Sequence, residues 1–194
     1  GSEMCIRDRW VLTGSLFSSW MVVFLPFVHL SAYGLDQGLG PLEAASLLSG
    51  IGIGGLVGRI GAGGLTDRFG RVPGLIASLT LQALAYLGFA ASTTYPWLLG
   101  WALAYGVGYS GLSVLFPALL GDLFGRAHVG AIAGMVFAIG GWAAAAGPYF
   151  AGALYDHSGS YLVAFVAASI FNSLALLLLV FLKPPKLHNP IHRA

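Results

Sequence analysis

Six long apolar stretches, separated by short polar or turn-forming connections, run along this 194-residue chain. They cover about 10–33, 44–65, 73–91, 97–120, 130–154 and 162–182. Each reaches or exceeds the roughly 20 residues that a helix needs to cross a bilayer core. None shows the short-period alternation of a transmembrane strand. Backbone groups in lipid must pair within the segment, so helices are expected. The expected fold class is an all-α membrane protein with six transmembrane helices. The connection from Gly34 to Pro41 is rich in turn residues, and Pro41 and Pro73 suit the first turns of the helices they precede. Glu43 then lies near a helix N-terminus, where the dipole favours an anion. Lys183-Pro-Pro-Lys186 ends the sixth span.

Composition agrees with a membrane setting. Hydrophobic residues make up 57% of the chain and charged residues 8%, against roughly 25% charged in soluble domains. Nine Lys and Arg against seven Asp and Glu leave a net charge of +2, with no basic cluster to hold nucleic acid. The single cysteine, Cys5, excludes a disulfide framework and a Cys-rich metal site. No metal or cofactor is expected.

The charges that remain set the orientation. Arg68, Arg71, Arg126, Lys183, Lys186 and Arg193 follow spans two, four and six, whereas the other connections hold Asp36, Glu43 and Asp156 and no Lys or Arg. That asymmetry puts the first set in the cytoplasm. The chain is expected in the plasma (inner) membrane, multi-pass, with a cytoplasmic tail over 187–194. Tyr33, Tyr95, Trp97, Tyr155 and Tyr161 mark the opposite interface as an aromatic belt. Residues 1–9 differ in character from all that follows. Gly1 through Asp8 reads as a translated transposase-type sequencing adapter, so 1–9 are expected to be an artefact, with a short cytoplasmic N-terminus as the alternative.

Within the spans, one residue after Trp10 is formally charged: Arg59, some four residues past the middle of span two. Placing Arg at a helix centre costs about 2.5–3.5 kcal/mol on insertion scales. Its Cα–Cβ bond tilts toward the helix N-terminus, hence toward the membrane middle. Gly52, Gly55, Ala62 and Gly63 share its face and leave room beside it. A planar cationic fork in a cleared pocket suits a carboxylate; a structural carbonyl partner or snorkelling are the alternatives. Span two also carries Ser46, Gly50, Gly54, Gly58 and Ala62 at four-residue intervals, a ridge that allows close helix packing. On span four, Trp101, Tyr105, Tyr109 and Ser113 follow the same spacing. Their hydroxyls either line an aqueous cavity or bond to carbonyls in a helix interface. His29 is a candidate for coupling protons or, more simply, an interfacial side chain. Gly147-Pro148 suggests a kink in span five. A Ser110/His128 protease pair is excluded by depth, since Ser110 lies within span four and His128 beyond its end.

The loop after span two, Gly63-Gly-Leu-Thr-Asp67-Arg68-Phe-Gly70-Arg71, resembles the signature of the major facilitator superfamily, with Val72 in place of its last basic residue. Asp122-Leu-Phe-Gly-Arg126 echoes it two spans later. The resemblance covers residues 10 to about 186. It implies the C-terminal six-helix half, helices seven to twelve, of a twelve-helix transporter built from two three-helix inverted repeats per half. Pro26 to Leu30, Asp36, Gly38, Gly58-Arg59, Gly147-Pro148, Gly152, Asp156 and Gly159 are most similar to monocarboxylate and oxalate/formate porters. On that resemblance Arg59 falls where monocarboxylate porters carry a substrate-binding Arg. Those porters place an Asp one turn earlier, where this chain has Gly55, and oxalate-type antiporters place a Lys in helix eleven, which span five lacks.

The resulting expectation is a fragment of a transporter, not an enzyme, that moves a small organic anion by alternating access within a lipid bilayer. Arg59, Tyr105, Tyr109, Ser113 and His29 are the candidate substrate residues. Gly63, Asp67, Arg68, Gly70, Arg71, Asp122 and Arg126 form the candidate conformational switch. The expected partners are an absent N-terminal six-helix half, the anion and, through a group such as His29, H+. A porter of uncharged or drug-like solutes, or a self-contained six-span channel-like or structural protein, are the alternatives.

Overall fold

The computed structural model describes residues 6–124 and 129–181, and only the backbone of 6–10, 65–67, 123–124, 129 and 131–132. Among these residues the helices are α1 (Ile6–Val23), α2 (Leu25–Asp36), α3 (Pro41–Phe69), α4 (Arg71–Ala91), α5 (Tyr95–Phe124), α6 (Val129–Ser158) and α7 (Leu162–Val180). Six segments are long and apolar enough to cross a membrane, and α1 with α2 forms the first of them, Val11–Asp36. α1 starts at Ile6, inside the 1–9 segment. Helix α6 runs unbroken through Pro148.

Local chemistry explains the ends. Pro41 opens α3, and the Glu43 carboxylate accepts the Gly40 backbone N–H at 3.1 Å, satisfying a donor that the helix leaves free. Gly70 joins α3 to α4 with φ of +86°, a conformation that side chains resist.

The break between α1 and α2 falls at Phe24. Pro26 has no N–H, so the Val22 carbonyl loses its helical partner. The Tyr86 hydroxyl donates to that carbonyl at 2.7 Å, and the Tyr105 hydroxyl donates to the carbonyl of Val23. The two hydroxyls are 3.2 Å apart. α4 and α5 thus each send one tyrosine to hold the broken span.

The helices pair as α3 with α5, α6 with α1, α4 with α5, α7 with α1, and α4 with α7. Numbering by spans, exchanging each span with the one three further on carries this list into itself. Two three-helix repeats related by a two-fold axis require that pattern. Both equivalent seams between the repeats use glycine. A Cβ on Gly54 would strike the Leu103 carbonyl, and one on Gly106 the Ile51 carbonyl. At the α6–α1 seam, a Cβ on Gly140 would enter the Trp20 ring, and one on Gly147 would strike the Met21 carbonyl. The small-residue ridge of span two therefore brings backbones together.

Burial divides the interior into two apolar clusters. One holds Tyr86, Phe89, Tyr105 and Phe165 near the α2 end; the other holds Leu16, Leu79, Leu112 and Leu179 near the α3–α4 turn. Between them, four helices each contribute a buried polar residue: Ser19, Gln82, Ser110 and Asn172. Asn172 accepts from the Ser19 hydroxyl at 3.3 Å and donates to the Leu79 carbonyl at 2.7 Å. The Gln82 amide and the Ser110 hydroxyl have no hydrogen-bond partner among the described residues.

Candidate functional site

Helices α3 and α5 run parallel, registered by Gly54 against Leu103 and Gly58 against Val107. That register sets Arg59 level with Gly108 and Tyr109. The seam also has a side. Gly55 faces Ser110, whose Oγ lies 2.9 Å from where a Gly55 Cβ would stand. At 100° per residue, Arg59 lies about 40° beyond Gly55 on α3. On α5, Ser113 and Tyr109 lie about 60° and 100° from Ser110 in the opposite rotational sense, which across a parallel helix pair is the same side of the seam. Arg59, Tyr109 and Ser113 therefore lie on one side of the helix pair. The Arg59 side chain is exposed and forms no ion pair among the described residues. Nothing lies within 4 Å of a Cβ placed at Gly52, whereas Gly55 packs against Ser110 and Ala62 is buried, so the small residues expected to clear space beside the guanidinium are in part used for helix packing.

That same side holds a cavity of about 240 Å³, lined by Trp20, Val23 and Phe24 at the break, Tyr109, Leu112, Ser113 and Phe116 from α5, and Phe137, Gly141 and Ala144 from α6. Its rings interlock: Trp20 and Phe137 are 5.0 Å apart between centroids, and Trp20 and Phe116 6.2 Å. Ser113 donates its hydroxyl to the Ser110 carbonyl at 2.9 Å. The Tyr109 ring packs edge-on to Phe27 at 5.0 Å. Arg59 does not line this cavity.

The α5 stripe divides. Tyr109 and Ser113 reach the cavity, whereas Tyr105 is fully buried with its hydroxyl committed to Val23 and Tyr86. Tyr105 is thus a correction to the expected substrate set: a polar tip in this core must bond, and the broken span supplies the carbonyl. Trp101 fills the space where a Gly88 Cβ would stand. Sequence reasoning missed Trp20, Phe116 and Phe137, because each sits alone on its helix pattern and the three meet only through packing.

His29 stands apart from the cavity. Its Nε2–H donates to the Pro148 carbonyl at 2.9 Å, and Nδ1 pairs with the Tyr161 hydroxyl at 3.2 Å. The ring therefore ties α2 to α6 and to the start of α7. Tyr161 stacks on Tyr155 at 4.3 Å. Burial, and then the negative charge of Asp36, push the Tyr161 hydroxyl above its usual pKa of 10.0.

At the opposite end, Arg71 Nε meets Asp122 Oδ2 at 2.9 Å. This joins the α3–α4 turn to the end of α5, linking the signature to its echo. The two side chains are 37% and 33% exposed, so the pair stabilises the fold by at most about 1 kcal/mol. Arg68 is exposed in the last turn of α3, and Gly63 lies one turn before Asp67. The Asp67 side chain and Arg126 lie outside the described residues.

The Major Facilitator Superfamily family model matches residues 8–194. The chain belongs to the major facilitator superfamily. This is a family of transporters and not of enzymes, in keeping with the Asp67–Arg71 signature. The superfamily member is 34% identical to monocarboxylate transporter 13 of Rattus norvegicus over 153 residues, 76% of this chain and 35% of that protein. It is 30% identical to monocarboxylate transporter 12-B of Danio rerio over 167 residues, 84% of this chain and 35% of that protein. With monocarboxylate transporter 12 of Xenopus laevis it shares 30% over 165 residues, 78% and 34% of the two chains. This superfamily chain spans about a third of the length of the relatives it matches. Six apolar helices and this family make it a multi-pass membrane protein.

Proposed function

We propose that the chain forms one half of a secondary transporter for a small organic anion, working by alternating access in the plasma (inner) membrane with its tail in the cytoplasm. The carrying observation is Arg59, an exposed guanidinium near Gly52 on the cavity side of α3. A permanently charged fork suits one carboxylate, and the similar proteins bear the name monocarboxylate transporter. A second six-helix half supplies the opposite wall and completes the site. Tyr109 and Ser113 orient the solute from α5. The loop carrying Gly63, Asp67, Arg68, Gly70 and Arg71, with Asp122 and Arg126, holds one conformation and releases it in the other.

In the complete transporter reconstituted into liposomes, Arg59→Ala abolishes uptake of the monocarboxylate lactate while membrane insertion stays normal. Uptake equal to that of the parent refutes the role of Arg59. The aromatic walls of the cavity favour a second reading, a porter of uncharged solutes. Competition by anions against a neutral substrate separates the two.

A further inference from the structure

We infer that the cavity between α1, α5 and α6 receives the apolar part of the transported anion, and that preferred substrates are monocarboxylates bearing an aromatic ring. The inference rests on the reading of Arg59 as the carboxylate ligand and adds the chemistry of the rest of the molecule.

Three observations carry it. Trp20, Phe24, Phe116 and Phe137 wall the cavity with aromatic rings, and the Tyr109 and Ser113 hydroxyls and the Trp20 indole N–H are the side-chain polar groups among its lining. Such walls reward an apolar substituent and offer few partners to a small hydrated acid. The volume, about 240 Å³, exceeds the roughly 150 Å³ of an apolar cavity known to take up benzene. Finally, Tyr109 and Ser113, both in the cavity lining, lie on the side of the seam that bears Arg59. An anion whose carboxylate lies toward α3 can therefore extend its ring into the cavity against the Trp20–Phe137 pair.

Gly141 provides a test that leaves helix packing intact. It lines the cavity, and nothing lies within 4 Å of a Cβ placed there. A leucine at this position grows into the cavity rather than into a neighbour. Uptake of labelled phenyllactate and lactate is measured in the complete transporter in liposomes. The parent should favour phenyllactate by tenfold or more in kcat/KM, since even one methylene in an apolar pocket is worth roughly tenfold. Gly141→Leu should lower that preference by at least tenfold, with Gly141→Ala between.

A parent that favours lactate overturns the inference. So does a preference unchanged in Gly141→Leu, or equal loss of both substrates with normal insertion. The two readings fail separately. If Arg59→Ala keeps uptake while Gly141→Leu still removes the aromatic preference, the anion site falls and the ring pocket stands. If Arg59→Ala abolishes uptake of both acids but the parent shows no aromatic preference, the ring pocket falls alone.

Discussion

Replacing Tyr86 with Phe removes a single oxygen, and the structure says what that oxygen does. It donates to the Val22 carbonyl at 2.7 Å, which has no helical partner because Pro26 stands four residues on. Tyr86 is wholly buried, so no water replaces the lost hydroxyl. An unsatisfied buried carbonyl costs about 1–3 kcal/mol, and Tyr86→Phe should destabilise the chain by that amount. Tyr105→Phe exposes the Val23 carbonyl to the same cost. Because the two hydroxyls touch at 3.2 Å, the double variant should depart from additivity by about 0.5 kcal/mol or more. The diagnostic variant is Pro26→Ala. It returns an N–H to the Val22 carbonyl, so Tyr86→Phe should cost less in that background. Reversible unfolding in mixed micelles, followed by circular dichroism, measures the free energy of each variant. A Tyr86→Phe loss below about 0.5 kcal/mol, or a loss unaltered by Pro26→Ala, refutes the clamp.

Gly54→Leu should prevent the α3–α5 seam from closing, since even a Cβ there strikes the Leu103 backbone; cross-linking cysteines placed across that seam would report the separation. Charge reversal at both Arg71 and Asp122 should restore the conformational distribution that either single reversal disturbs, with stability changing by no more than about 1 kcal/mol; cysteine accessibility in the complete transporter reads the distribution. The raised pKa of Tyr161 means that the folded state holds its proton above pH 10.0, where the unfolded chain has lost it. The stability from this group is therefore present below about pH 10 and falls as pH rises through the folded value. Tyr161→Phe should flatten that alkaline decline in an unfolding series.

Much of the architecture could be read from residue order because bilayer length, proline and glycine act locally. Pro41, Glu43 and Gly70 stand where their chemistry places them, and the four-residue glycine ridge identifies the face of α3 that approaches α5. Pro26 signals a lost hydrogen bond, but not which distant side chains replace it. Tyr86 and Tyr105 lie on other helices, and their role depends on how those helices cross. The same limit hides the buried polar layer, to which Ser19, Gln82, Ser110 and Asn172 come from four different helices. It also hides the cavity: Trp20, Phe116 and Phe137 belong to three helices, and no single periodicity joins them. Tyr105 and Tyr109 have identical chemistry and spacing, yet one closes a helix break and the other faces the cavity.

The central claim is that the Arg59 guanidinium reads negative charge. Uptake of phenyllactate and its neutral amide, phenyllactamide, by the complete transporter compares solutes that differ chiefly in that charge. Hydrogen bonds to a charged group are worth roughly 1.5–3 kcal/mol each, so a two-point contact should favour the anion by about a hundredfold or more. Arg59→Gln should reduce the preference to within a few fold, and the claim is contradicted if the anion keeps its full advantage when the guanidinium is gone.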